Sequence, residues 1–477
     1  MTKPSAKLVA LLILVITIPG CGGGGGDGGG NNPPPVSIGK WAWMSGSNYA
    51  NQWGVYGTKG TPAPSNVPRS REGGVSWVDA QGNLWLFGGF RYGSSHSPVR
   101  LNDLWRYDPA TSEWTWISGS STENQAGIYG IKGTADPLNV PGARDWAVSW
   151  VDATGRLWLF GGQGYDSAGM LRDLNDVWNY DPATLEWTWL SGSDAASPLG
   201  VYGTKGIADS QNDPGARNRA VGWVDLQGKF WLFGGYGGAT AGNLGTLLND
   251  LWSCDPGTSV WTWISGSDTV NQAGVYGIKG TAALSNVPGA RAVAVSWVDS
   301  SGELWLFGGH GRDPASSFTV DLNDLWKFDT VTLEWTWMSG SDIGSQHGVY
   351  GKKGTAASSN VPGARGGSIS WVDSQGKLWL FGGWGKGSTS DSDGPLNDLW
   401  THDPASSEWT WMSGSHSTDQ AGFYGAKGTA SSSNVPGARY RALSWVDSSG
   451  KLWLFGGSGC DSTGGFGYLN DLWKYTR

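Results

Sequence analysis

Cysteine is scarce in this chain, with three in 477 residues, and no framework of disulfides can be built from so few. Charge is sparse too. Charged residues make up 15% of the sequence, the net charge is −8, and no basic cluster stands out, which excludes the concentrated positive surface that nucleic acid requires. Long apolar runs are missing. The longest, Leu8–Ile18, is too short to span a bilayer comfortably. The five histidines show no ligand spacing, and no segment carries the alternating carboxylates of a calcium loop, so no metal or cofactor is expected. What the chain has instead is 79 Gly and 33 Trp, both far above ordinary usage.

Those residues recur with a period. Leu-Trp-Leu-Phe-Gly-Gly returns almost unchanged around Gly88–Gly89, Gly161–Gly162, Gly234–Gly235, Gly308–Gly309, Gly382–Gly383 and Gly456–Gly457, at spacings of 73, 73, 74, 74 and 74 residues. Six copies at so regular a spacing mean one structural unit used six times. Within residues 71–118, Gly73–Asp79 reads as a strand and Ala80–Asn83 as a tight turn. Leu84–Phe87 is a second, wholly apolar strand, ended by Gly88-Gly89, and a variable loop follows. Leu101–Asp108 is a third strand, Pro109–Ser112 a second turn, and Glu113–Ile117 a fourth strand. The expected fold is therefore all-β: a six-bladed β-propeller of four-stranded antiparallel blades. Lys40–Ser45 matches only the fourth strand, and Tyr475–Arg477 follows a third. The N-terminal strand is thus expected to join the last blade and close the ring.

Gly-Gly after an apolar strand, then Asn-Asp-Leu-Trp-x-Tyr-Asp, then a spaced Trp, resembles the kelch repeat across residues 40–477. The units here are longer, because about 27 residues separate one blade's fourth strand from the next blade's first. Some propellers of that family are enzymes. Galactose oxidase, similar only in its propeller, needs copper held by His and Tyr with a Tyr–Cys crosslink. Here His96, His310, His347, His402 and His416 fall in different blades, and Cys460 has no recognisable Tyr partner. Sialic-acid epimerases use a kelch propeller too, but no catalytic acid/base pair stands out in this chain.

The N-terminus reads as an export signal over residues 1–20, with Lys3 and Lys7 before the apolar run. Ile18-Pro19-Gly20-Cys21 resembles a bacterial lipobox, which makes Cys21 the expected lipidation site. Residues 21–39 then form a Gly- and Pro-rich tether. Gly22 after the cysteine favours the outer membrane by resemblance to lipoprotein sorting. Cys254 and Cys460 lie in units three and six, diametrically opposed in a ring, and are expected to be free thiols.

Antiparallel order places the variable loops and the long insertions on one face, which is the expected binding face. The insertions repeat as Tyr56/Lys59, Tyr129/Lys132, Tyr202/Lys205, Tyr276/Lys279, Tyr350/Lys353 and Tyr424/Lys427. They are either packed structural loops or a multivalent surface of aromatic and cationic groups. Each first strand begins at an arginine: Arg71, Arg144, Arg217, Arg291, Arg365 and Arg439. These either form a cationic collar near the axis, able to hold carboxylates, or pair inside each blade with Asp103, Asp176, Asp250, Asp324, Asp398 and Asp471. The next residues differ from blade to blade, so Asp145 and Tyr440 join the arginines as candidate binding residues. The repeated tryptophans suit blade-to-blade packing, each burying about 150–250 Å². Trp53, Trp146 and Trp384 fall off the repeated positions and suit exposed stacking. The leading expectation is a non-catalytic, monomeric, lipid-anchored binding module for a protein or polysaccharide. The alternatives are a carbohydrate-active enzyme using the central channel and a structural envelope protein.

Overall fold

In the computed structural model, six antiparallel sheets surround a central axis. The residues described are 39–93, 97–195, 197–240, 245–316, 318–389 and 392–477. The expected export signal, Cys21, most of the expected tether and His96 lie outside them. Blade 1 has its strands in the order Val75–Val78, Leu84–Tyr92, Pro98–Asp108 and Glu113–Ser118. The other five follow the same plan. The first strands touch one another around the axis and line a channel of about 520 Å³.

The pattern of each strand follows from its place. In Val75-Ser76-Trp77-Val78, alternate residues face opposite sides, with Val75 and Trp77 buried and Ser76 and Val78 half-buried along the channel. The second strand is apolar throughout because both its faces are covered. Leu84 and Leu86 pack with Trp445, Trp453 and Phe455 of blade 6, whereas Trp85 and Phe87 pack with Leu157, Trp178 and Trp187 of blade 2. Each first-strand indole also donates to a carbonyl of the next blade. Trp77 Nε1 lies 3.0 Å from Trp158 O, and the series ends where Trp445 Nε1 lies 3.0 Å from Trp85 O.

The first tight turn is held by its aspartate. Asp79 accepts from the amides of Gln81 and Asn83 and from Trp85 Nε1 at 2.8 Å. The double glycine has a steric cause. Gly88 has φ +66°, and a Cβ there would come within 2.7 Å of the Arg144 carbonyl of the next blade.

Lys40–Ser45 pairs antiparallel with Phe466–Thr476, with Lys40 opposite Thr476 and Trp43 opposite Trp473. It occupies the fourth-strand position of blade 6. Cys254 and Cys460 are buried free thiols.

The insertions depart from expectation in one respect. Their ends lie on the loop face, but the middle of each turns down the outer edge of the following blade. Gly60 N donates to Trp116 O at 2.8 Å, Asn66 Nδ2 to Trp114 O at 3.0 Å, and Lys59 Nζ to Gly119 O at 2.8 Å. The Lys59 ammonium also sits 4.4 Å from the Trp116 ring centre. In blade 6 the same cap falls on the N-terminal strand, with Gly428 N on Trp43 O and Lys427 Nζ on Gly46 O. The insertion length therefore covers six outer edges, which would otherwise present unpaired backbone groups. The repeated Tyr hydroxyls bond buried aspartates, whereas the repeated Lys stay at the surface, each donating to a backbone carbonyl just after the fourth strand.

Candidate functional site

The arginines that begin each blade do not form a collar. Arg71, Arg144, Arg217, Arg291, Arg365 and Arg439 are each about 1% exposed. Arg71 Nη1 and Nη2 grip Asp103 at 2.6 and 2.7 Å, and Nη1 also donates to Gly88 O. Asp103 further accepts from Trp105 Nε1 at 2.7 Å and Tyr56 Oη at 2.6 Å. Burial pushes the Asp103 pKa up, but the Arg71 charge outweighs it and holds the carboxyl below its ordinary value. The same Tyr–Asp–Arg knot recurs in the other five blades, for example Tyr129–Asp176–Arg144. A buried cation without a counter-charge is expensive, so the pairing inside each blade is the arrangement that folding selects. These six residues are closed to any ligand.

Two residues further on, the chain makes a second ring. Gly73, Trp146, Arg219, Val293, Gly367 and Arg441 all have positive φ, between 53° and 68°. Each amide donates to the carbonyl of the equivalent residue in a neighbouring blade, from Trp146 N on Gly73 O at 2.7 Å round to Gly73 N on Arg441 O at 3.1 Å. Left-handed backbone at a β-branched valine carries a cost, and such strain gathers at functional positions. This ring frames the axial mouth on the loop face. Its side chains are unequal. The Arg219 and Arg441 guanidinium groups lie 4.9 and 4.5 Å from the Trp146 ring centre. Arg441 also bonds Glu72 at 2.9 Å.

Asp145 sits beside this mouth, 3% exposed and 2.5 Å from Arg100. Burial raises its pKa to about 6 despite Arg100. It is a supporting residue of the rim, turned away from solvent.

Trp384 and Tyr440 come together. Their rings meet edge-on at 5.3 Å, and Trp384 is 38% exposed. With Arg441, Asp321 and His310 they wall a hollow of about 400 Å³. His310 Nδ1 lies 2.9 Å from Asp321, and Lys386 pairs with Asp393 at the same hollow. Tyr440 is shared with a second hollow, of about 510 Å³, between blades 6 and 1. There Trp53, Tyr92 and Phe466 are each about half exposed. Phe90, Tyr92 and Tyr468 form a ring cluster with centroids 5.3–6.2 Å apart. An aromatic sector thus runs over blades 5, 6 and 1.

The sequence reading reached Trp384, Tyr440 and Trp53 but passed over Arg91, Tyr92, Phe466 and Tyr468. The signal was available as departures from the repeat. Among the described residues, no group of three His, Cys, Asp or Glu could hold a metal ion.

Fold and rim together define the class: a six-bladed β-propeller whose loop face, apart from the repeat, carries aromatic hollows. Against known families the sequence matches none, and against curated proteins it again matches none. Solved structures do match in fold. One, described as "Structure of YjhT", aligns with a TM-score of 0.50 and 18% identity over 85% of this chain and 95% of that one. At that identity the likeness speaks for the fold alone.

Proposed function

We propose that this protein is a kelch-type propeller that acts as a non-catalytic recognition module, binding a polysaccharide or protein through its loop face. The carrying observation is where the repeat fails. The repeated Arg and Asp are buried and paired with one another, whereas Trp384 and Tyr440 open an aromatic hollow edged by Arg441, His310 and Asp321. Aromatic faces next to hydrogen-bonding groups suit sugar rings, and aromatic anchors suit protein partners as well. We further propose that residues 1–20 are an export signal and that lipid on Cys21 holds the propeller at the bacterial envelope, most simply the outer membrane, through the 21–39 tether. The catalytic alternative, a carbohydrate-active enzyme using the central channel, gains nothing from Asp145, whose carboxylate is committed to Arg100.

The test is a glycan array followed by titration of wild type, Trp384→Ala and Tyr440→Ala. Binding that weakens by about tenfold or more in either variant, with an unchanged melting temperature, supports the reading. Binding that neither variant alters removes it. Palmitate labelling of wild type but not of Cys21→Ser supports the anchor, and equal labelling removes it.

A further inference from the structure

Blade 1 departs from the repeat at three positions that meet in space. Where the other blades have Gly164, Gly237, Gly311, Gly385 and Gly459, blade 1 has Arg91. Where they have Gly142, Gly215, Gly289, Gly363 and Gly437, it has Arg69. Where they have Ala126, Leu199, Ala273, His347 and Ala421, it has Trp53.

The steric meaning is plain in blade 2. Arg144 pairs with Gly164, and a Cβ on Gly164 would lie 2.5 Å from the Arg144 Cβ. A side chain at this position forbids the pair. In blade 1 the pair is indeed missing, and only a single bridge between Glu72 and Phe90 remains. Loss of that ladder accompanies the hollow between blades 6 and 1.

Both arginines lie against Trp53, with guanidinium carbons 4.9 Å (Arg69) and 4.7 Å (Arg91) from its ring centre. The two cations are not equivalent. Arg69 is neutralised by Glu123 at 2.9 Å and also donates to Ser121 O. Arg91 is 3% exposed, lines the hollow, and has no carboxylate within 4 Å among the described residues. Its Nε donates to Tyr92 O, but its Nη1 is buried with no partner among the described residues. Burial pushes this guanidinium below its usual pKa. A buried guanidinium that bonds no carboxylate, with Glu123 acting on it only at a distance, is a costly arrangement.

We propose that this hollow binds an acidic polysaccharide, with the anionic group of one sugar ring on Arg91 and the ring itself against Trp53, Tyr92 or Phe466. A guanidinium fork matches a carboxylate or a sulfate ester, and the aromatic walls select a ring-shaped body. Tyr440, shared with the Trp384 hollow, continues the platform for neighbouring sugars. The inference rests on the recognition reading above and adds its ligand class.

The experiment titrates an oligogalacturonate, its methyl ester and a sulfated oligogalactan by calorimetry, against wild type, Arg91→Gln and Trp384→Ala. Tighter binding of an anionic oligomer than of the ester supports the proposal, and the better of the two identifies carboxylate or sulfate. Arg91→Gln is expected to lose about ten- to a hundredfold for the preferred anion and little for the ester. Trp384→Ala is expected to weaken all three. Equal binding of the three oligomers, still sensitive to Trp384→Ala, overturns the Arg91 site and leaves the recognition module standing. Binding of none of them overturns the site. Should Arg91→Gln not fold, salt dependence in wild type decides. Affinity for the anion must fall with added sodium chloride while that for the ester holds, and a flat response for both overturns the proposal.

Discussion

His402 occupies the strand position held by Tyr107, Tyr180, Phe328 and Tyr475 in other blades. It is fully buried against Trp305 and Trp409, and neither ring nitrogen has a partner among the described residues. Burial lowers its pKa to about 4, with Asp403 opposing weakly. The unfolded chain takes up this proton near pH 6.5, the folded chain only near 4. Stability is therefore lost as pH falls through that window and levels off below it, by about 3 kcal/mol in all. His402→Phe is expected to remove this part of the acid sensitivity. Melting temperatures at pH 7 and pH 4.5 measure it, and an equal drop in wild type and variant would refute the assignment. The Arg–Asp knots are buried charge with a partner, where His402 has none. Arg71→Ala leaves Asp103 buried without its cation, and a loss of about 3–5 kcal/mol is expected by chemical denaturation. A loss no larger than that of an exposed pair would show that Asp103 finds another partner.

Along the elements, blade 3 carries a coupled exception. The channel serines form a chain of hydroxyl bonds, such as Ser149 on Ser76 O and Ser370 on Ser296 O, and Gly222 breaks it. Phe230 stands where the repeat has leucine, and the Trp150 ring lies flat on it at 5.1 Å and 2°. A Cβ at Gly222 would then meet Val148 Cγ1 at 2.5 Å and Trp150 Nε1 at 2.7 Å. Gly222→Ser alone is expected to cost about 1–3 kcal/mol, and Phe230→Leu in the same chain to recover part of it. A double-mutant cycle with no coupling would show that the two exceptions arose independently. Such details mark the limit of what was legible beforehand. Blade strands could be read from Leu-Trp-Leu-Phe and Glu-Trp-Thr-Trp because side-chain period and turn chemistry are local. The Arg71–Asp103 pair joins two different strands, so six-fold repetition favoured the pair but left the collar open until the register was known. Arg91 escaped notice because replacing a glycine matters only once Arg144 is seen opposite Gly164.

At the scale of the whole molecule, a ring differs from an open stack of repeats. An open stack holds each unit by its neighbours and frays from its ends. Here the first and last described strands share one sheet, since Lys40–Ser45 pairs with Phe466–Thr476 on its inner side and meets the Gly428–Asn434 cap on its outer side. Trp41 is 1% exposed, and its ring contacts Trp371 and Phe381 of blade 5 as well as Trp473 and Tyr475 of blade 6. One short strand therefore ties two blades and covers the outer edge of Phe466–Thr476. Trp41→Ala is expected to cost about 3–5 kcal/mol, which in a domain this large lowers the melting temperature by roughly 3–5 °C. Deleting residues 40–46 removes the ladder as well and turns the ring into a stack. Its unfolding should then divide, with blade 6 melting ahead of the rest, where wild type melts in one step. Tryptophan fluorescence and far-ultraviolet circular dichroism followed on the same sample separate the outcomes. Coincident curves at the wild-type temperature after the deletion would mean that the blades hold their circle without the strand that joins its ends.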